Sequence, residues 1–182
     1  KIEKQRATFT DEQYRKLYTF TGSWSEINKK STKDATWETL SPEILKRRMI
    51  HDMILILANT GMRIGECRQL RWGHALITKT RQEREFFTAG REYFDRLKKR
   101  QEFTRDTHLI FSMDGKKSLQ DKEWSSIWKE VMGGIGIHHH LDEGLTWYSL
   151  RHFAITKKIA SGTSIIDLSK IVGSAVENIE KV

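Results

Sequence analysis

The sequence predicts a mainly α-helical domain with one small antiparallel β-hairpin, an α+β fold. Three observations predict it: apolar residues recur at helical spacing in several capped segments, alternating patterns are weak, and the 182 residues include a single proline. The hydrophobic fraction of 37% is enough for one domain with a core. No internal repeat or interdomain linker is evident, so residues 1–182 are treated as one unit.

The first predicted helix follows the segment TFTDEQYRKLYTF. Thr10 is suited to cap its N-terminus, and Gln13 stands three residues later, which is the spacing of a capping box. Tyr14, Leu17 and Tyr18 form its apolar stripe.

The clearest helical signal lies in SPEILKRRMIHDMILILANTG. Ser41 is a cap, Pro42 occupies the first helical position, and Gly61 ends the segment. Apolar residues cover more than one face, so we expect this helix to run through the core. They are Ile44, Leu45, Met49, Ile50, Met53, Ile54, Ile56 and Leu57. The following MRIGECRQLRW predicts a second, short helix.

The middle of the chain carries the predicted β-structure. Residues 75–87, ALITKTRQEREFF, have the β-favouring residues and central polar stretch of a hairpin, and HLIFSMDG suggests a short strand and turn. Between them TAGREYFDRLKKRQEF predicts a helix. We expect Tyr93, Phe94 and Leu97 to face inward, and Arg96, Lys98, Lys99 and Arg100 to face outward.

Two further helices are predicted near the end of the chain. DKEWSSIWKEVMGG places Trp124, Ile127, Trp128 and Val131 on one side and stops at paired glycines. After a loop, LTWYSLRHFAITKKIASG forms an amphipathic helix, followed by TSIIDLSKIVG and SAVENIEKV.

Charge favours a polyanionic partner. The chain has 32 lysine and arginine residues against 24 acidic residues, a formal net charge of +8, which favours nucleic acid over an anionic membrane surface. The single cysteine, Cys67, excludes a disulfide framework within the chain and fits a reducing compartment. No membrane-spanning apolar run and no signal peptide are evident, so we expect a cytoplasmic protein.

Basic groups in three separate segments suit phosphoryl chemistry. Arg63 follows the glycine turn in NTGMRIGE, Lys79 lies in the predicted hairpin, and Arg151 with His152 begins the later helix. Guanidinium groups offer planar bidentate donors to non-bridging oxygens, and a lysine can protonate a leaving oxygen.

The order and context of these segments resemble a known family. NTGMRIGECRQLRW resembles the first catalytic-arginine motif of tyrosine recombinases, the phage-integrase family, and TKTRQERE resembles the segment that carries its hairpin lysine. YSLRHFAITKKIASGTSIIDLSKIVGSAVENIEKV resembles its second motif, and the matches recur from Thr8 to Val182. The resemblance implies a catalytic-domain fold of that family and a bacterial or phage-encoded enzyme.

The resemblance also implies roles for individual residues. Arg63 and Arg151 would bind the scissile phosphate of DNA, Lys79 would protonate the departing 5′ oxygen, and Glu66 would hold Arg63 in place. The span before Lys79 is shorter than the family usually has.

Two positions depart from the family pattern. Tyr148 stands where the family most often has a histidine, and Ser174 stands where a histidine or tryptophan is usual. Both side chains can still donate a hydrogen bond to a phosphate oxygen. His152 occupies a position whose role in the family is mainly structural, although it is the imidazole nearest in sequence to the proposed phosphate site.

No cofactor or metal is expected. The covalent intermediate of the family conserves the bond energy, so its reaction needs neither ATP nor a metal ion. The consecutive residues His138, His139 and His140 lack a carboxylate or cysteine partner at ligand spacing, and we interpret them as a solvated loop.

The family spacing places its attacking tyrosine directly after Val182. Residues 1–182 are therefore interpreted as a catalytic-domain fragment without the nucleophile and without the family's N-terminal core-binding domain. We expect such a fragment to bind double-stranded DNA as a monomer without cleaving it, whereas full-length family members act as tetramers on DNA.

Three alternatives remain open at this point. The first is a type IB topoisomerase, which shares the catalytic core but relaxes supercoils. The second is a recombinase-derived DNA-binding protein without catalysis, which Tyr148 and Ser174 suggest. The third is a basic helical domain that binds an unrelated acidic partner.

Overall fold

A computed structural model of the chain describes residues 7–26, 35–76, 86–173 and 176–179. These ranges are mostly helical, and the mainly α part of the prediction is confirmed. The helices are α1 (Asp11–Trp24), α2 (Pro42–Thr60), α3 (Ile64–Arg68), α4 (Trp72–Leu76), α5 (Phe86–Arg100), α6 (Asp121–Gly134), α7 (Trp147–Ala160), α8 (Ile165–Val172) and α9 (Val176–Ile179).

Helix α2 is the central element of the fold. It packs against α1, α5 and α7, and its residues from Arg48 to Met53 are all buried. The Ser41 hydroxyl accepts a hydrogen bond from the Ile44 amide at 3.4 Å, and Gly61 ends the helix in the left-handed conformation with φ 70°. The sequence prediction for this helix is confirmed at both ends.

Helix α1 begins with the predicted capping box. Thr10 Oγ1 accepts from the Gln13 amide at 3.1 Å, and Gln13 Oε1 accepts from the Thr10 amide at 2.9 Å. Both amides would otherwise have no partner within the helix. Leu17 is fully buried, but Tyr18 on the predicted apolar stripe is 40% exposed.

The β part of the prediction is not confirmed in the described residues. Residues 75 and 76 end α4 and residues 86 and 87 begin α5, so both margins of the expected hairpin are helical. Its centre, residues 77–85, lies outside the described residues. At 108–115, where a short strand and turn are expected, the backbone turns back, and the Leu109 amide donates to the Gly115 carbonyl at 2.7 Å. In the described part of the chain the strand itself is reduced to an antiparallel bridge between Arg71 and Leu109.

Helix α5 corrects a second expectation. Lys98 and Lys99 are exposed, but Arg96 and Arg100 turn toward α2 and form ion pairs with Asp52, whose side chain is fully buried. Desolvation raises the pKa of Asp52, and the neighbouring arginines oppose that shift. A buried carboxylate needs such partners, so it draws in arginines that the helical pattern assigns to solvent.

Beside this cluster, His51 makes folding sensitive to acid. Its Nδ1 lies 2.8 Å from Thr21 Oγ1, and burial, aided by the positive charges of Arg96 and Arg100, lowers its pKa from 6.5 to about 4. Between these values the unfolded chain binds more protons than the folded one, so stability falls as the pH falls. We expect a loss of about 2–3 kcal/mol between pH 7 and pH 4 from this residue.

Urea denaturation across that pH range measures the effect, with His51→Gln as the control. The glutamine at position 51 does not titrate between pH 4 and pH 7, so the stability of the variant should depend less steeply on pH than that of the wild-type chain. Parallel pH profiles for the two proteins would contradict the assignment of this sensitivity to His51.

The second half of the chain packs an aromatic cluster beneath the start of α7. Trp128 of α6 is 3% exposed; its ring centroid lies 4.5 Å from that of Trp147, and its Nε1 donates to the Leu145 carbonyl at 3.1 Å.

His140 is also buried, which corrects the expectation of a fully solvated histidine loop. Within the described ranges, every helix is too short or too polar to cross a membrane.

Candidate functional site

Arg63 lies in the short connection between α2 and α3. Its amide donates to Glu66 Oε2 at 3.3 Å, and its Nη1 donates to Glu66 Oε1 at 2.9 Å. Its Nη2 donates to the Gly173 carbonyl at 2.6 Å. Arg63 is thus held between the first turn of α3 and the C-terminus of α8, and its side chain remains 36% exposed.

Arg151 projects from the second turn of α7 into the protein and is only 2% exposed. Its Nη1 donates to the Gly61 carbonyl, and its Nη2 donates to the Val172 carbonyl at 3.1 Å. Both acceptors are backbone groups at helix ends, where carbonyl oxygens lack partners within the helix.

The two arginines meet at the same helix end. Their guanidinium groups donate to the carbonyls of Gly173 and Val172, which are neighbours in the chain, and Gly61 lies two residues before Arg63. Carbonyl groups at helix C-termini carry partial negative charge, which stabilises nearby cations. The result is a pair of planar cationic donors, one buried and one half-exposed, suited to a ligand with several anionic oxygens.

Tyr148 and His152 lie beside this pair. Tyr148 is half-buried, His152 is buried, and their rings meet edge to face with centroids 4.9 Å apart. The hydrogen bond that Arg63 donates to Glu66 raises the pKa of Arg63, and the neighbouring Tyr148 adds to this shift.

Two predicted site residues are not placed. Lys79 and Ser174 lie outside the described residues. The structure therefore brings together Arg63, Glu66, Arg151 and Tyr148, with His152 behind them.

The backbone acceptors of both arginines were not predicted from the sequence. The carbonyls of Gly61, Val172 and Gly173 carry no side-chain signature. One signal was available: each glycine directly follows an apolar helical segment, which is typical of a left-handed C-cap whose preceding carbonyls point outward.

Comparisons with known proteins bear on the fold. No protein-family model and no curated protein matches the chain. The crystal structure of XerA recombinase superposes with a TM-score of 0.60 over 100% of this chain and 59% of that chain, with 17% identical residues. The chain shares the fold of XerA recombinase. It spans 59% of the length of that protein, and at this identity the likeness concerns the fold alone.

Proposed function

We propose that residues 1–182 belong to the catalytic domain of a tyrosine recombinase that cleaves and rejoins double-stranded DNA through a 3′-phosphotyrosyl intermediate. The observation that carries the proposal is the meeting of Arg63 and Arg151 at the carbonyls of Gly173 and Val172. The two arginines lie in separate sequence motifs, and the recombinase resemblance requires them to act on one phosphate. The shared fold with XerA recombinase supports the same conclusion.

In this proposal the arginines stabilise the charge that develops on the non-bridging oxygens of the scissile phosphate. Preorganised donors in a partly buried site are effective there because they need no reorganisation during the reaction. Glu66 orients Arg63, and its negative charge offsets part of the local positive charge. Tyr148 and Ser174 donate hydrogen bonds to phosphate oxygens, and His152 supports the Tyr148 ring.

The proposed reaction exchanges one phosphodiester for another. A tyrosine hydroxyl attacks phosphorus and releases its proton to the surrounding water, the bond from phosphorus to the 5′ oxygen breaks, and Lys79 gives the departing oxygen a proton. Rejoining reverses these steps, so no net oxidation, hydrolysis or external energy is involved. The family spacing places that tyrosine directly after Val182.

The first test is DNA binding by residues 1–182. We expect affinity for a 30-base-pair duplex to fall about 100-fold between 50 and 200 mM salt, since about four neutralised phosphates give that slope. Phosphate contacts dominate, so two unrelated duplex sequences should bind within a few-fold of each other. Fluorescence anisotropy at several salt concentrations measures both, and affinity independent of salt would contradict the proposal.

The second test uses a nicked suicide duplex that traps a covalent product. Residues 1–182 contain Tyr14, Tyr18, Tyr93 and Tyr148, none of which is the proposed nucleophile, so no adduct should survive denaturing electrophoresis. The chain extended past Val182 should form the adduct, and replacing the next tyrosine by phenylalanine should abolish it. An adduct with residues 1–182 would overturn the nucleophile assignment; no adduct with the extended chain would favour a non-catalytic DNA-binding protein.

A further inference from the structure

Arg63 and Arg151 each donate to the carbonyl of a glycine that has a left-handed backbone. Gly61 is the C-cap of α2 with φ 70°, and Gly173 is the C-cap of α8 with φ 62°. Each glycine presents its own carbonyl to an arginine, Gly61 to Arg151 and Gly173 to Arg63. The same structural device therefore occurs once for each arginine.

We propose that Gly61 and Gly173 are positioning residues that set the direction of Arg151 and Arg63 through their left-handed carbonyls. The inference rests on the proposed function, since it assumes that these arginines bind the scissile phosphate. Residues other than glycine and asparagine rarely adopt this backbone conformation, because their Cβ approaches the backbone too closely. Relaxing the strain would rotate the peptide plane and move the acceptor away from the guanidinium.

Gly61 has a second constraint, which is the limited space around it. A Cβ at position 61 would lie 3.1 Å from Val172 Cγ1 and 3.6 Å from the Ala154 Cβ. The end of α2 therefore lies directly against α7 and α8, and a side chain at 61 would disturb packing as well as direction. Position 61 therefore cannot separate these two effects, and the experiment uses Gly173.

A matched control exists at Gly162. It has φ 88°, and a Cβ added there would meet nothing within 4 Å. It lies just past the end of α7, and no arginine donates to its carbonyl among the described hydrogen bonds. Gly162→Val and Gly173→Val therefore each place a branched side chain on a left-handed backbone, but only the second acts on an arginine acceptor.

The first experiment observes the arginine directly, without DNA. A hydrogen-bonded guanidinium rotates slowly, so ¹⁵N-arginine NMR at low temperature should resolve separate Nη signals for Arg63, assigned by their loss in Arg63→Ala. We expect Gly173→Val to collapse or shift these signals, while Gly173→Asn and Gly162→Val leave them in place. Unchanged Arg63 signals in Gly173→Val would overturn the inference, whatever the DNA result.

The second experiment is a double-mutant cycle on binding to the 30-base-pair duplex. Gly173→Val should weaken binding about tenfold in the wild-type background and less than twofold in an Arg63→Ala background, because its effect passes through that arginine. Equal losses in both backgrounds would show a merely structural effect and contradict the inference. If the NMR signals respond but the wild-type chain binds no DNA, the positioning contact stands and the proposed function fails.

Discussion

An Arg151→Ala variant is expected to lose about 3 kcal/mol of folding free energy, whereas Arg63→Ala should lose less than about 1 kcal/mol. Arg151 is 2% exposed and donates to the carbonyls of Gly61 and Val172. Its removal leaves both acceptors without these bonds and opens a cavity between α2, α7 and α8. Arg63 is 36% exposed, so water can replace its contacts.

Both variants should nevertheless bind DNA more weakly. If each arginine contributes a charge-assisted hydrogen bond to the same phosphate, either substitution weakens affinity for a duplex about tenfold under conditions where the protein is folded. In a chain extended past Val182, each should slow formation of the covalent adduct by about 10² to 10³. Substitution of Arg63 should therefore reduce DNA binding with little loss of stability, whereas substitution of Arg151 should reduce both.

Urea denaturation followed by tryptophan fluorescence measures the stabilities, and anisotropy measures binding. Arg151→Lys is the matched control for charge: it keeps a cation but loses the planar fork, and should lose about 1–2 kcal/mol of stability. Equal stability losses for the two alanine variants would contradict the difference in burial. Unchanged DNA affinity in both would contradict the proposed site.

The sequence predicts the helical part of this fold because its signals are local. Ser41 and Gly61 mark both ends of α2, and the Thr10–Gln13 capping box marks the start of α1. Each of these is a contact between neighbours in the chain, so it can be recognised from the sequence without knowledge of the rest of the fold. The aromatic face of α6 is predicted for the same reason.

The expectations that were wrong here depend on contacts between residues far apart in the chain. Asp52 is one of several polar residues in α2, and nothing local indicates that Arg96 and Arg100 must turn toward it. The stretch near Leu109 has strand-forming residues, but a strand needs a partner, and only Arg71 pairs with it in the described chain. In both cases the contacts that the folded chain makes available decide the structure, and the local sequence preference does not.

The candidate site likewise has a part that the sequence predicts and a part that only the fold determines. The arginine motifs are visible as sequence, and so is the spacing of Arg63 and Glu66 within one helical turn. The acceptors at Val172 and Gly173 are not visible, because a backbone carbonyl belongs to every residue and only the fold selects which ones meet an arginine. Residue type predicts the chemistry, and packing determines its geometry.

The aromatic cluster under α7 carries the other large effect: Trp128→Ala should destabilise the fold by about 4 kcal/mol. Trp128 is buried between Phe9, at 6.1 Å between ring centroids, and Trp147, at 4.5 Å. Its Nε1 bond to the Leu145 carbonyl holds the chain one residue before the Thr146 cap of α7. Truncation removes the packing and this bond together.

Two control variants separate these contributions. Trp128→Phe keeps an aromatic ring but removes the donor, so we expect a smaller loss of about 1–2 kcal/mol. Trp37→Ala, at a side chain 36% exposed, should change stability by less than about 1 kcal/mol. Chemical denaturation of the three variants measures these differences, and equal losses at positions 37 and 128 would contradict the assignment of the core.

The Trp128→Phe variant also connects packing to the arginine site. Arg151 lies five residues after Thr146, so its guanidinium is aimed by a helix whose first turn depends on Leu145 being held. Loosening that turn should weaken duplex binding about two- to threefold in a protein that is still folded, because a small displacement on α7 moves Arg151 relative to the Val172 carbonyl. Unaltered binding by this variant would mean that contacts with α2 and α8 alone fix the arginine.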